Sequence, residues 1–255
     1  MAHVLRVENL IQHFGGLAVL QGLSFSIDAG QKVALIGPNG AGKTTLINVL
    51  NGLIRPQAGR VYLLGQDVTH APPHARIRLG LARSFQIIRL FPHLTLMTNL
   101  LLAIQGTQTT RYNMVRPIRS CKENIAEARK LLELVGLWEM RGSPVAALAY
   151  GQQRQAEIIL ALASRPKLLL LDEPGAGLTR GESDHLIDII RNLAGNASVL
   201  LSDHDMNLVF GLAERVIVLH YGQIIADGTP EDVQADPRVR EIYLGGKKVG
   251  KTGHA

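Results

Sequence analysis

Lys43 and Thr44 close the string GPNGAGKTT, residues 37–45, and their distance from Gly37 and Gly42 is that of the phosphate-gripping pattern GxxxxGK[ST]. Glycine lets such a loop curl so that successive N–H groups face inward, and a helix opening at Lys43 adds its partial positive charge. Lys43 is then placed to reach the β- and γ-phosphates of a nucleotide, and Thr44 to lend its hydroxyl oxygen to Mg²⁺. Gly37, Pro38, Asn39, Gly40, Ala41, Gly42, Lys43, Thr44 and Thr45 are therefore the candidate nucleotide-binding residues. A second string, LLLLDEP at 168–174, ends an apolar run in two adjacent acids. There Asp172 is expected to hold the Mg²⁺ shell and Glu173 to polarise an attacking water as general base. Two acids beside a triphosphate repel it without a metal, so activity is expected to require Mg²⁺. A phosphate loop alone leaves kinase, GTPase and transport ATPase open.

These groups need a scaffold, and the hydrophobic pattern supplies one. VLQGLSFSID alternates Leu23, Phe25 and Ile27 against Ser24 and Ser26, the period of a half-buried strand. KVALIG, LLLLD and SVLLSDH are instead continuously apolar, as strands of a parallel sheet covered on both faces are. The loop GPNGAGKTT lies between the strand KVALI and the helix KTTLINVL, the context its chemistry requires. In NIAEARKLLELVGL, residues Ile125, Ala128, Leu131, Leu132 and Val135 recur at helical spacing, with Gly136 placed for a left-handed cap. RVIVLHYGQIIADGTP reads as two strands joined at Tyr221 and Gly222. The expected architecture is one α/β domain over 1–245, with a helical subdomain over about 88–160 and a basic, flexible tail over 246–255.

Composition narrows the function further. A chain of 255 residues, 46% of them hydrophobic, is long enough to bury a full core, and its single cysteine, Cys121, excludes an internal disulfide. MAHVLRVENLIQHF lacks the apolar stretch of a secretory signal, and no apolar run approaches the ~20 residues of a membrane helix. The net charge of +6 is spread along the chain except for the short run GGKKVGK, so no nucleic-acid partner is expected.

LAYGQQR, residues 148–154, offers no carboxylate, thiol or histidine, yet sets a glycine and two amides at the start of an apolar-faced helix. GPNGAGKTT, Gln86 in RSFQ, LAYGQQR, LLLLDEP and His204 in LLSDHD together resemble the ordered motifs of ATP-binding cassette (ABC) ATPases: Walker A, Q-loop, signature, Walker B and H-loop. The resemblance runs from about residue 4 to 245. It implies a P-loop fold with a mixed sheet core, an antiparallel β subdomain and a helical subdomain. It also implies a head-to-tail pair of nucleotide-binding domains in which Ala149, Tyr150, Gly151 and Gln152 contact the γ-phosphate held by the partner. Gln86 is then expected to sense Mg²⁺ and the attacking water, and His204 to contact the γ-phosphate as a switch. Phe14, ahead of Gly15 and Gly16, is positioned like the aromatic that stacks on adenine, while packing in the core is its other reading.

Two positions depart from the family pattern. Ala149 stands where serine is usual, so the signature lacks a hydroxyl for phosphate and for capping its helix. Thr179, in GAGLTR, stands where the D-loop commonly has aspartate. Finer likeness comes from FGGLAVL, GLARSFQIIRLFPHLTLMTNLL, LAYGQQRQAEI and DGTPEDVQADPRVREIYLG, which are similar to the ATP-binding subunits of branched-chain amino-acid importers. This implies a second ATPase subunit (a heterodimer, with a homodimer as the other arrangement), two membrane permeases docked near Leu90, Phe91 and Pro92, and an extracytoplasmic binding protein. The chain is thus expected at the cytoplasmic face of the inner membrane, as a peripheral subunit. Related urea importers, lipopolysaccharide exporters and soluble ABC proteins remain as other readings.

Overall fold

The computed structural model describes residues 3–84, 90–106 and 121–244. Its central sheet has six strands in the order β10-β9-β3-β8-β7-β6. β3 (Lys32–Ile36), β6 (Leu81–Arg83), β7 (Leu168–Asp172), β8 (Ser198–Ser202) and β9 (Arg215–His220) run parallel. β10 (Gln223–Gly228) returns antiparallel to β9 through Tyr221 and Gly222, which both take positive φ as a tight hairpin turn demands.

The leucine run explains why this sheet has two faces to cover. Successive strand residues point to opposite sides. Leu168 and Leu170 therefore join the core beneath the antiparallel sheet, while Leu169 and Leu171 join the core made by the helices. All of β7 is buried, as is β8. β3 behaves likewise, with Val33 and Leu35 on one side and Ala34 and Ile36 on the other, against α7 (Met206–Leu212) and α8 (Pro230–Ala235).

The antiparallel sheet comprises β1 (His3–Phe14), β2 (Leu17–Asp28), β4 (Ala58–Leu63) and β5 (Gln66–Asp67), ordered β2-β1-β4-β5. The alternation read in β2 holds: Leu23, Phe25 and Ile27 are buried. Between the sheets runs α1 (Lys43–Asn51), and α2 (Pro73–Arg78) sends Arg76 into the core at its far end. Arg76 donates to the carbonyls of Val49 (2.7 Å) and Leu50 (2.6 Å) in the last turn of α1, where helix carbonyls run short of intrahelical partners.

The other face carries α3 (Leu96–Gly106), α4 (Lys122–Leu134), α5 (Tyr150–Ala163) and α6 (Arg180–Ala194). In α4 the expected stripe is buried at Ala128 and Leu132, with Ile125 and Leu131 packed at its edges. Gly136 follows at φ 69°, in the left-handed conformation that ends the helix. α9 (Pro237–Leu244) completes the chain described, and no helix among the described residues is long and apolar enough to cross a membrane.

Candidate functional site

The C-terminal ends of β3, β7 and β8 lie side by side, and the reactive groups leave the sheet there, as ligand sites of open α/β sheets do. After β3 the chain turns through residues 37–42 into α1. Gly42, at φ 106°, is the N-cap, and a Cβ there would stand 2.7 Å from the Val19 carbonyl, so only glycine fits. The β9–β10 turn supports the loop from behind, the Gly222 amide donating to Ala41 O at 3.0 Å.

Lys43 is buried, and its Nζ donates to the carbonyls of Gly37 (2.6 Å) and Pro38 (3.2 Å). Burial lowers its pKa, opposed by the charges of Glu173 and Asp172. An open cavity of about 270 Å³ is lined by Asn39 to Thr45, Leu17, Val19 and Glu173. The loop and the candidate base thus share one cleft. Thr44 is exposed on the first turn of α1.

Asp172 ends β7 with its carboxylate buried, accepting a hydrogen bond from Arg83 at 3.1 Å. Burial raises its pKa, and Arg83 pulls it back. Arg83 also donates to Asn48 Oδ1 of α1 at 2.8 Å, linking the phosphate helix to the acid strand. The Thr44 hydroxyl and the Asp172 carboxylate are hard oxygen donors of the kind Mg²⁺ selects, and the buried Ser202 hydroxyl, paired across the sheet from Asp172, lacks a protein hydrogen-bond partner. The residues present fit that ion.

Glu173 adopts φ 48°, a conformation uncommon outside glycine, and its neighbours hold it there. Its amide donates to Ser202 O at 2.7 Å, and its carbonyl accepts from Arg154 at 2.7 Å. Asp203 fastens the next stretch, accepting from the Gly175, His204 and Asp205 amides at 2.7–2.9 Å. His204 itself is solvent-exposed, with Nδ1 3.6 Å from Asp203.

The signature opens α5. Ala149 is the N-cap with no side-chain bond, and Gln152 Oε1 caps the Ala149 amide instead, at 3.0 Å. Tyr150 is half exposed and Gly151 buried. None of Ala149 to Gln152 lines the cleft of the chain's own phosphate loop. Thr179 caps α6 reciprocally: its hydroxyl accepts from the Glu182 amide, and its own amide and hydroxyl donate to Glu182 Oε2 at 2.8 Å.

Phe14 is 50% exposed, which removes the core reading, but Leu17, opposite it in the β1–β2 ladder, lines the cleft in its place. Gln86 and the segment 246–255 lie outside the described residues. Arg83, Arg154, Asp203, Leu17 and Val19 escaped the reading of the sequence. Arg154 alone had a visible signal, an arginine four residues after Tyr150 in a helix otherwise turned to the core.

A phosphate loop on a parallel sheet, an acid pair at the same end of the sheet one strand beyond its neighbour, and a separate amide-rich helix start define an ATPase of the cassette class. The family profile described as ABC transporter matches residues 20–176, and that described as branched-chain amino acid ATP-binding cassette transporter matches residues 223–249. BraF of Pseudomonas aeruginosa, a high-affinity branched-chain amino acid transport ATP-binding protein, is 40% identical over 249 residues, 95% of this chain and 98% of its own length. LivG of Escherichia coli (strain K12), described in the same words, is 37% identical with the same coverage. A crystal structure of a nucleotide-free cassette from an ABC transporter superposes with TM-score 0.80 at 31% identity, covering 94% of this chain and 98% of that one. The ADP conformation of MJ1267, an ATP-binding cassette of an ABC transporter, gives 0.82 at 31% identity, covering 96% and 100%. The chain belongs to the ABC transporter family and is its ATP-binding, ATP-hydrolysing subunit.

Proposed function

We propose that this chain drives uptake of branched-chain amino acids, paired with a second ATPase subunit beneath two membrane permeases and supplied by an extracytoplasmic binding protein. The likeness to BraF and LivG along nearly the whole chain carries the substrate class. The pairing rests on geometry. The signature residues stand apart from the chain's own phosphate cleft, and the first-turn N–H groups of α5, which have no place in the helix ladder, are available to a phosphate presented by another subunit. Exposed Phe91, beside Leu90 and Pro92, offers the permeases an apolar foothold. Such a chain works at the cytoplasmic membrane surface as a peripheral subunit, and a heterodimer is the arrangement favoured.

In this reading the loop amides of residues 39–44 bind the phosphates, and Lys43, with two of its three donors on loop carbonyls, turns the third toward the γ-phosphate. Thr44 and Asp172 would hold Mg²⁺, and Gln86 would sense it. Bound there, the ion would neutralise charge between the phosphates and the acids. Glu173 accepts the proton of the attacking water, and His204 closes on the γ-phosphate from its exposed position. Phe14 and Leu17 meet the base. Closure of the ATPase pair switches the permeases because ATP binds the closed state more tightly than the open one.

Uptake of labelled leucine and labelled urea, measured in cells lacking the chain and restored with wild type or Lys43→Ala, tests this. Leucine uptake is expected to return only with the wild type. Leucine uptake indifferent to the chain, with urea uptake dependent on it, overturns the substrate.

A further inference from the structure

The segment that carries Glu173 into α6, residues 173–179, has little secondary structure of its own, and α5 grips it at several points. Tyr150 and Arg154 lie four residues apart on one face of that helix. Arg154 is fully buried and donates from NH2 to Glu173 O at 2.7 Å and from Nε to Pro174 O at 3.1 Å. Its remaining edge meets Glu157 at 2.7 Å, which balances the buried charge. The Tyr150 hydroxyl donates to Ala176 O at 3.1 Å, and its ring lies over Gly177, where a Cβ would come within 3.1 Å of it. Gly177 is at φ 78°, so the ring occupies space that only glycine leaves open. Gly151 in turn abuts the Glu182 carboxylate, which a Cβ at 151 would have to displace, and Glu182 also holds Thr179.

We infer that Tyr150 and Arg154 are positioning residues, which couple the signature helix to the Glu173 backbone of the same chain. The inference rests on the reading above, in which Glu173 is the base and the signature serves the opposite site. A planar guanidinium presents its donors in a rigid fork, so Arg154 fixes the direction of the peptides on either side of Pro174 while its other edge meets Glu157, whereas the donors of an ammonium rotate about a single atom. The strained φ of Glu173 is then set from two sides, by Arg154 in α5 and by Ser202 O in β8. Phosphate arriving at the start of α5 from the opposite site shifts a helix rigidly joined to this chain's own base. Each site thereby senses occupancy of the other through its own chain, without a separate linking residue.

The two roles of the signature separate in the assembled ATPase pair when one Walker lysine is silenced at a time. With the second subunit's lysine replaced, only the site containing this chain's Glu173 turns over. With Lys43→Ala in this chain, only the opposite site turns over, the one completed by this chain's signature. Tyr150→Phe keeps the ring and the backbone and removes one hydroxyl. It is expected to lower kcat about fivefold at this chain's own site, with KM for ATP within about twofold. The loss there should exceed that at the opposite site by a factor of about three or more. Arg154→Lys is expected to show the same asymmetry with a loss of about tenfold. Thermal melting of each variant establishes that the fold persists, and the exposed Tyr150 serves if Arg154→Lys fails to fold. An equal or larger loss at the opposite site, or none at either, overturns the coupling. Glu173→Gln is run beside them: turnover that survives it brings down the reading of the site and the coupling together, whereas failure of the coupling alone leaves Glu173→Gln inactive.

Discussion

At the scale of single residues, the site works by fixing groups that would otherwise be mobile or strained. Lys43 is held by two loop carbonyls, Asp172 by Arg83, and the Glu173 backbone by the Arg154 guanidinium and the Ser202 carbonyl. Ala149 is the exception, because its methyl leaves the start of α5 without the side-chain cap that serine supplies. Ala149→Ser should restore both the cap and a hydroxyl for phosphate. The expected outcome is a stability gain of about 1 kcal/mol and faster turnover at the opposite site. A hydrogen bond to a charged group is worth ~1.5–3 kcal/mol, which sets about tenfold as the scale of that gain. An unchanged ATPase rate and an unchanged melting midpoint count against this account. Thr179 needs no such repair: where an aspartate is usual, its hydroxyl forms a reciprocal cap with Glu182.

At the scale of elements, α1 carries the phosphate loop at one end and depends on Arg76 at the other. Among the described residues, Arg76 is held by helix and loop carbonyls: Val49, Leu50, Thr69 and Ala71 all accept from it. Burial pushes its pKa down to about 10, yet it stays charged at neutral pH, where the negative end of α1 favours it. Arg76→Met is expected to remove those four hydrogen bonds and to lower unfolding stability by ~2–4 kcal/mol, as read by denaturant titration. Loss of less than about 0.5 kcal/mol would show that water replaces the guanidinium without penalty. The arginine was visible in HARIRLG as one basic residue among several, and nothing in that string marks it as the buried one.

At the scale of the whole molecule, the phosphate cleft and the signature face solvent from separate places on one chain, and in the proposed pair each supplies half of a site. Glu173→Gln keeps the shape of the side chain and removes the proposed base. ATP should then remain bound and hold two ATPase subunits together. Light scattering of the variant with its partner subunit in Mg²⁺ and ATP is expected to show the mass of the pair, which ADP does not support. Where no partner subunit exists, two copies of this chain serve. Monomers in ATP under both conditions would falsify the pairing.

Much of this protein was legible in its sequence, because its chemistry resides in local strings and its central strands β3, β7 and β8 are short and covered on both faces. GPNGAGKTT needed only its flanking strand and helix to be read, and the leucine run announced a strand buried on two sides. The sheet order, with β3 between β8 and β9, was decided only by tertiary structure, since continuous apolar runs pair with one another without local preference. So were the partners of the charged residues. Arg83 meets Asp172 across 89 positions and Arg154 meets Glu173 across 19, and no spacing rule links positions brought together by the packing of a strand or helix against its neighbour. Local sequence determined which groups can do the chemistry; the long-range packing of α5, β6 and β8 around the end of β7 decided how they are held.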